Sequence, residues 1–238
     1  MQCVLLAGGL GTRIRSRSGD IPKSLIEVHG RPFIFYQLKW LAQQGVRDVV
    51  LSIGYRGDLI SQAIGDGRKF GLSVTYADEG ERLRGTGGAL RMIADLGLLA
   101  PSFFLLYGDS YLPIDLLPVW HTSDGGRFST ITVLRNSGRW DRSNVIFRDD
   151  RLVLYDKHAT DPAMDYIDYG LSVLSRQTIM EEFSPGEAAD IANLFNKLSR
   201  QGVLRGHEIF ERFYEIGSPQ GLDDFTAYIG GGGEFNIR

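Results

Sequence analysis

Hydrophobic positions along this chain follow two rhythms. Residues 3–6, 49–53 and 103–107 are short, mostly apolar runs, the pattern of buried strands. Between them, residues 33–44 place Ile34, Leu38 and Leu41 on one helical face. Pro32 suits the first turn of that helix and Gly45 stops it. Residues 58–64 and 89–98 carry the same helical period. Strands alternating with helices predict βαβ units and a mostly parallel sheet. The second half changes character. Residues 129–134 and 166–174 read as strands, and residues 145–147 and 152–155 flank Asp149-Asp150 as a hairpin would. Residues 187–200 read as a helix with Ile191, Leu194 and Leu198 on one face. The expected fold class is α/β, a mostly parallel mixed sheet flanked by helices. One domain is expected over residues 1–229, with a nucleotide-type half at 1–125 and a mixed-sheet half at 126–229. Gly230 to Gly233 open an expected flexible tail, residues 230–238, since four glycines hold no fixed backbone cheaply.

Composition narrows the function classes. A chain of 238 residues with 43% hydrophobic and 23% charged residues has what a packed core needs. The formal net charge of −3 gives no basis for a nucleic-acid partner. Cys3 is the lone cysteine, so it forms no internal disulfide, and its apolar run makes it a buried strand residue rather than a nucleophile. The apolar start has no basic segment and no cleavage-like site, so no signal peptide is expected. No apolar run approaches the roughly 20 residues that cross a bilayer. The cytoplasm is the expected compartment, with no membrane partner. A homo-oligomer stays open.

Four segments carry candidate chemistry. In Leu5-Leu6-Ala7-Gly8-Gly9-Leu10-Gly11-Thr12-Arg13, a strand runs into three glycines, a hydroxyl and a guanidinium. Glycines let backbone N–H groups approach an anion, and an arginine fork suits phosphate oxygens. Arg15, Arg17 and Lys23 add nearby positive charge. A tight surface turn with solvated charges is the plainer reading. The P-loop is excluded because no lysine follows the glycines, and the dinucleotide fingerprint because position 14 is isoleucine. Pro22-Lys23 offers a point charge, although a solvated lysine is the commoner case. The run 103–107 ends in Gly108-Asp109, and a carboxylate at a strand's carboxyl end can hold Mg²⁺ or simply end a turn. Gly85-Thr86-Gly87-Gly88 precedes the helix expected from Ala89, where glycines suit close contact with a nucleotide or form a flexible loop. The histidines at 29, 121, 158 and 207 show no metal-ligand spacing.

Taken together, these motifs resemble the sugar-1-phosphate nucleotidyltransferase family. Its signature is similar to L-A-G-G-x-G-T-R, then P-K, then G-T-x-G-A, then a strand ending in G-D, and all four occur here in order. The resemblance implies a Rossmann-like sheet of the nucleotide-diphospho-sugar transferase type. It implies that Leu6, Ala7, Gly8, Gly9, Gly11, Thr12, Gly85, Thr86, Gly87 and Gly88 hold the nucleotide. Arg13 would take the departing pyrophosphate, Lys23 the α-phosphate, and Asp109 Mg²⁺. Asp156-Lys157 stands where the family has an acidic residue and a lysine on the sugar phosphate, with Asp for the usual Glu and His158 for the usual Pro. Asp168 and Gly170 stand at the family's N-x-G beside the sugar. Glu215 takes the place of a second metal aspartate, one methylene longer.

The implied reaction joins a nucleoside triphosphate to a sugar 1-phosphate and releases pyrophosphate. The run from Gly11 to Lys23 most resembles heptose 1-phosphate guanylyltransferases, which implies GTP and D-glycero-D-manno-heptose 1-phosphate. Glucose 1-phosphate thymidylyl-, cytidylyl- or uridylyltransferases stay open. So do a phosphocholine cytidylyltransferase and a non-catalytic sugar-nucleotide sensor.

Overall fold

The computed structural model describes residues 1–233 except Leu10, Arg15, Ser16, Ser18, Glu81, Leu83 and Asp141, and nothing is described of the Thr12 side chain. The strands are β1 (Gln2–Leu6), β2 (Glu27–Val28), β3 (Arg31–Pro32), β4 (Asp48–Ile53), β5 (Ser73–Asp78), β6 (Ser102–Tyr107) and β7 (Ser110–Tyr111). They continue with β8 (Thr130–Arg135), β9 (Val145–Arg148), β10 (Arg151–Tyr155), β11 (Tyr166–Ser175), β12 (Arg205–Ile209) and β13 (Tyr214–Glu215). The helices are α1 (Phe33–Gln43), α2 (Gly57–Ile64), α3 (Gly85–Asp95), α4 (Leu116–Thr122), α5 (Arg176–Glu182), α6 (Ile191–Arg200) and α7 (Pro219–Gly230). The central sheet is mixed, with helices flanking it, as the pattern predicts. The chain divides into two compact units built from interleaved segments.

The first unit comprises Met1–Leu83, Leu106–Ile114 and Arg212–Arg238. Strand β4 lies parallel to β1, pairing Gln2 with Asp48 through Leu6 with Ser52, and parallel to β5 on its other side. The last residues of β6 stand beside β1. Val4, Leu5 and Leu51 are buried, as are Phe33, Ile34, Leu38 and Leu41 of α1. Each such side chain contributes about 1.5–3 kcal/mol by leaving water. Phe33 meets Phe225 of α7 edge-on, with ring centroids 5.0 Å apart. Cys3 is buried and burial raises its thiol pKa, so it behaves as the expected core residue.

The second unit comprises Arg84–Leu105 and Asp115–Glu211. Strand β8 runs antiparallel to β11 and parallel to β12, while β9 and β10 form the predicted hairpin. Asp149 and Asp150 both take left-handed φ values, 49° and 57°, as a two-residue hairpin turn demands. Aspartate tolerates that region because its short polar side chain bonds locally.

The largest differences from the expected boundaries fall at three elements. Helix α3 begins at Gly85 rather than near Ala89, so the glycine segment is its first turn. Helix α6 begins at Ile191, four residues beyond the expected start. Asp190 caps it through a hydrogen bond from the Ala192 N–H. Gly230 is the last residue of α7, and the N–H groups of Gly231, Gly232 and Gly233 close the helix on Ala227, Ile229 and Tyr228. Residues 234–238 of the expected tail lie outside the described residues. Among the described residues, no helix is long and apolar enough to cross a membrane.

Candidate active site

In the first unit, β1 runs into the glycine loop. A side chain at Gly8 would meet Glu79 Oε1 at 2.7 Å, and Gly11 sits at φ +60°, a backbone conformation that favours glycine. Lys23 follows Pro22 and opens a short 3₁₀ turn. Its stem lies along Gly11, whose missing Cβ would stand 3.3 Å from the Lys23 Cβ. Lys23 Nζ donates to Asp109 Oδ2 at 2.5 Å. The two side chains keep only 18% and 20% of their exposure, so water screens this pair poorly.

Asp109 arrives from β6 through a crowded turn. The Gly108 N–H donates to Leu6 O, and a side chain at Gly108 would meet that same oxygen at 2.6 Å. The turn leads into β7, which pairs with β13 and sets Ser110 opposite Glu215. The Ile216 N–H donates to Asp109 O. This small ladder brings the two carboxylates together. A side chain at Gly217 would stand 2.8 Å from Glu215 Oε2, 3.3 Å from Asp109 Oδ2 and 3.4 Å from Arg13 Nη2. Arg13, Lys23, Asp109 and Glu215 therefore converge, as the sequence reading requires. The Glu215 carboxylate also accepts from the Gly217 N–H and the Ser218 hydroxyl, and Ser218 caps α7 ahead of Pro219.

Mg²⁺ fits this donor set. It takes one or two carboxylates and keeps its other positions for water and substrate phosphates. Asp109 and Glu215 flank a space that a Cβ at Gly217 would fill. Among the described residues, no group of three metal-ligating side chains gathers, so a cation here would depend on substrate oxygens. Arg17 pairs with Asp223 at the surface instead of lining the loop, and Arg15 lies outside the described residues.

The second unit holds the other candidates. Lys157 Nζ donates to Asp190 Oδ2 at 2.9 Å, and the Thr86 hydroxyl donates to Asp190 Oδ1 at 3.1 Å. Burial raises the Asp190 pKa, but the Ala192 N–H, Lys157 and Thr86 together hold it below the usual carboxylate value. Sequence reasoning missed Asp190. The available signal was an Asp just before an apolar helical run.

Two of the expected contacts already have partners within the chain. Gly87 and Gly88 do not offer free N–H groups to a phosphate, because both donate to Ala189 O. Their missing side chains make room for the chain itself: Phe183 at 2.6 Å from Gly87 and Glu187 O at 2.5 Å from Gly88. Gly85 likewise faces Ala189 O at 2.5 Å. The Asp156 carboxylate is hydrogen-bonded within the chain. One oxygen accepts from the His158 and Ala159 N–H groups and the other from Arg200, which keeps its pKa low.

Asp168 sits on β11 with Gly170, whose N–H donates to it at 3.0 Å. Burial pushes its carboxyl up to about 6, against the Gly170 hydrogen bond and the charge of Lys157. The folded value lies above the unfolded 3.8, so this group's contribution to stability falls as pH rises from 3.8 to about 6, then stays level. Asp168→Asn keeps the acceptor for Gly170 and removes the charge. Its melting temperature should exceed that of wild type at pH 7 and approach it at pH 4. An equal offset at both pH values would contradict the assignment.

The nucleotidyl transferase family pattern matches residues 2–133. This chain belongs to the nucleotidyl transferase family. This transferase is 26% identical over 221 residues to the D-glycero-alpha-D-manno-heptose 1-phosphate guanylyltransferase of Campylobacter jejuni, covering 92% of this chain and 96% of that protein. It is 31% identical over 156 residues to the enzyme of the same name from Aneurinibacillus thermoaerophilus, covering 65% of this chain and 66% of that one. The crystal structure of HddC from Yersinia pseudotuberculosis complexed with GMP-PN superposes on the transferase with a TM-score of 0.77 at 25% identity, over 96% of this chain and 99% of that one.

Proposed function

We propose that this chain joins GTP to D-glycero-D-manno-heptose 1-phosphate, giving the GDP-sugar and pyrophosphate. The observation that carries the reaction class is the Lys23–Asp109 ion pair set against the glycine loop, with Arg13 and Glu215 beside it. A phosphate oxygen of the sugar 1-phosphate attacks the α-phosphorus. The new P–O bond forms as the bond from that phosphorus to the β-phosphate bridging oxygen breaks, and pyrophosphate leaves with the electron pair. The attacking oxygen is already ionised at neutral pH, so no general base is required. Both reactants are anions, so positioning and charge neutralisation supply most of the catalysis. Lys23 steadies the α-phosphate, Arg13 holds the departing pyrophosphate, and Lys157 binds the sugar phosphate. Mg²⁺ held by Asp109 and Glu215 would supply further neutralisation and a template for the phosphate oxygens.

The base reading rests on Glu79. Its carboxylate adjoins Gly8 and accepts from the buried Ser52 hydroxyl at 2.8 Å. Guanine presents two adjacent donors on its pairing edge, a match for one carboxylate, whereas uracil and thymine present one. The heptose reading rests on the two guanylyltransferases described above.

The test is a pyrophosphate-release screen of GTP, CTP, UTP and dTTP against heptose, mannose and glucose 1-phosphates and phosphocholine, with Mg²⁺ present. GTP with the heptose phosphate is expected to react fastest. Faster release from another pair replaces the substrate assignment. Nucleotide-sugar binding with no release from any pair would identify a sensor.

A further inference from the structure

Gln37 lies mid-way along α1 and is completely buried, beside Phe33, Ile34, Leu38 and Leu41 of the same helix. An amide among such neighbours costs stability unless it is fully bonded. Gln37 is not: its Oε1 is buried without a hydrogen-bond partner. Its Nε2 has two, donating to Tyr107 O at 2.9 Å and Ser110 O at 2.7 Å. The reverse amide orientation would set an oxygen against both carbonyls, so these neighbours decide it.

Those two carbonyls bracket Gly108 and Asp109. Between them, the Gly108 N–H is tied to Leu6 O and Asp109 O accepts from the Ile216 N–H. The backbone carrying Asp109 is thus pinned to β1, to the β13 side and to α1. Gln37 is the side chain that ties it to α1. A leucine or methionine would fill the same space without the orphaned oxygen, but it could not hold the turn.

We infer that Gln37 is a positioning residue that fixes the Asp109 carboxylate for its divalent cation. This rests on the reading of Asp109 as a metal carboxylate. Partners bonded directly to a metal ligand typically matter about 10–100-fold in metal affinity, and Gln37, which holds the backbone on either side of Asp109 rather than its carboxylate, is expected at the low end of that range.

The test uses the full chain with Mn²⁺ alone as the probe, its binding followed by electron paramagnetic resonance. Gln37→Met should weaken Mn²⁺ binding about tenfold. It should also raise the Mg²⁺ concentration for half-maximal turnover while KM for the sugar phosphate holds. Gln37→Glu keeps the size and carries the same comparison if the methionine variant fails to fold. Its loss should shrink relative to wild type as pH falls, because a protonated carboxyl regains one donor. Asp109→Asn should abolish the Mn²⁺ response, and adding Gln37→Met to it should change nothing further. Wild-type Mn²⁺ affinity in both folded Gln37 variants, with the response lost in Asp109→Asn, would make Gln37 a packing residue and overturn the proposal. Unchanged Mn²⁺ binding in Asp109→Asn would instead overturn the metal reading of Asp109, and the proposal with it.

Discussion

Asp109→Ala should lower turnover by about 10²–10³-fold, the cost of losing one electrostatic group aimed at developing phosphoryl charge. The residue stands where two roles meet. Its carboxylate balances Lys23 at 2.5 Å in a pocket that keeps about a fifth of its exposure, and it faces Glu215 across the space beside Gly217. Alanine removes the proposed anchor for the cation and leaves the ammonium of Lys23 without this counter-charge. The deficit should persist at every Mg²⁺ concentration, since added metal cannot restore a missing ligand. Asp109→Asn, which keeps the volume and loses the charge, should fall nearly as far. Pyrophosphate release at saturating substrates measures both variants, and their melting curves separate lost chemistry from lost fold. Turnover like that of wild type in Asp109→Ala would remove the carboxylate from the reaction.

Asp109 was legible in the sequence because a buried strand and its terminal carboxylate are local features. The runs at β1, β4 and β6 are mostly apolar, and the ends of β1 and β6 carry the glycine loop and Gly108-Asp109. Strand β5 was missed because its burial alternates with exposure and its apolar residues are few. Helix α7 was missed because Gly221 and Gly230 obscure its period. The hairpin at Asp149-Asp150 was legible since turn chemistry is written in adjacent residues. What the sequence could not display was hydrogen bonding between distant segments. Asp156 stands out only through its place in the motif, and its hydrogen bonds from His158, Ala159 and Arg200 join segments the motif does not link. Asp190 falls inside the helix expected over residues 187–200, and its role shows only once Lys157 and Thr86 are seen to converge on it. The glycines of α3 suit close contact with a nucleotide when read in one dimension, and in the structure the 183–189 segment packs closely on them. Glu79, one residue past β5, had no motif to announce it.

Lys23→Met should cost turnover on the same scale, about 10²–10³-fold. Methionine is the informative replacement because it keeps an unbranched stem. The Cβ, Cγ and Cδ of Lys23 lie 3.3, 3.6 and 3.7 Å from where a Gly11 side chain would begin, so a branched or shorter residue would also disturb the loop. Arginine should not rescue. Its planar fork demands more width than a single ammonium, and it presents charge in a different geometry. The partition of the loss tells what Lys23 does. An ammonium that acts on the phosphoryl group as charge builds up lowers kcat. One that only helps the triphosphate bind raises KM and leaves kcat alone. We expect the fall in kcat. Because Lys23 and Asp109 touch, their losses should not add, and the double variant should lie well above the product of the single effects. A Lys23→Met enzyme within about threefold of wild type in kcat would take the ammonium out of the transfer step, leaving triphosphate binding as its role if KM rises and neutralisation of Asp109 at rest if KM holds too.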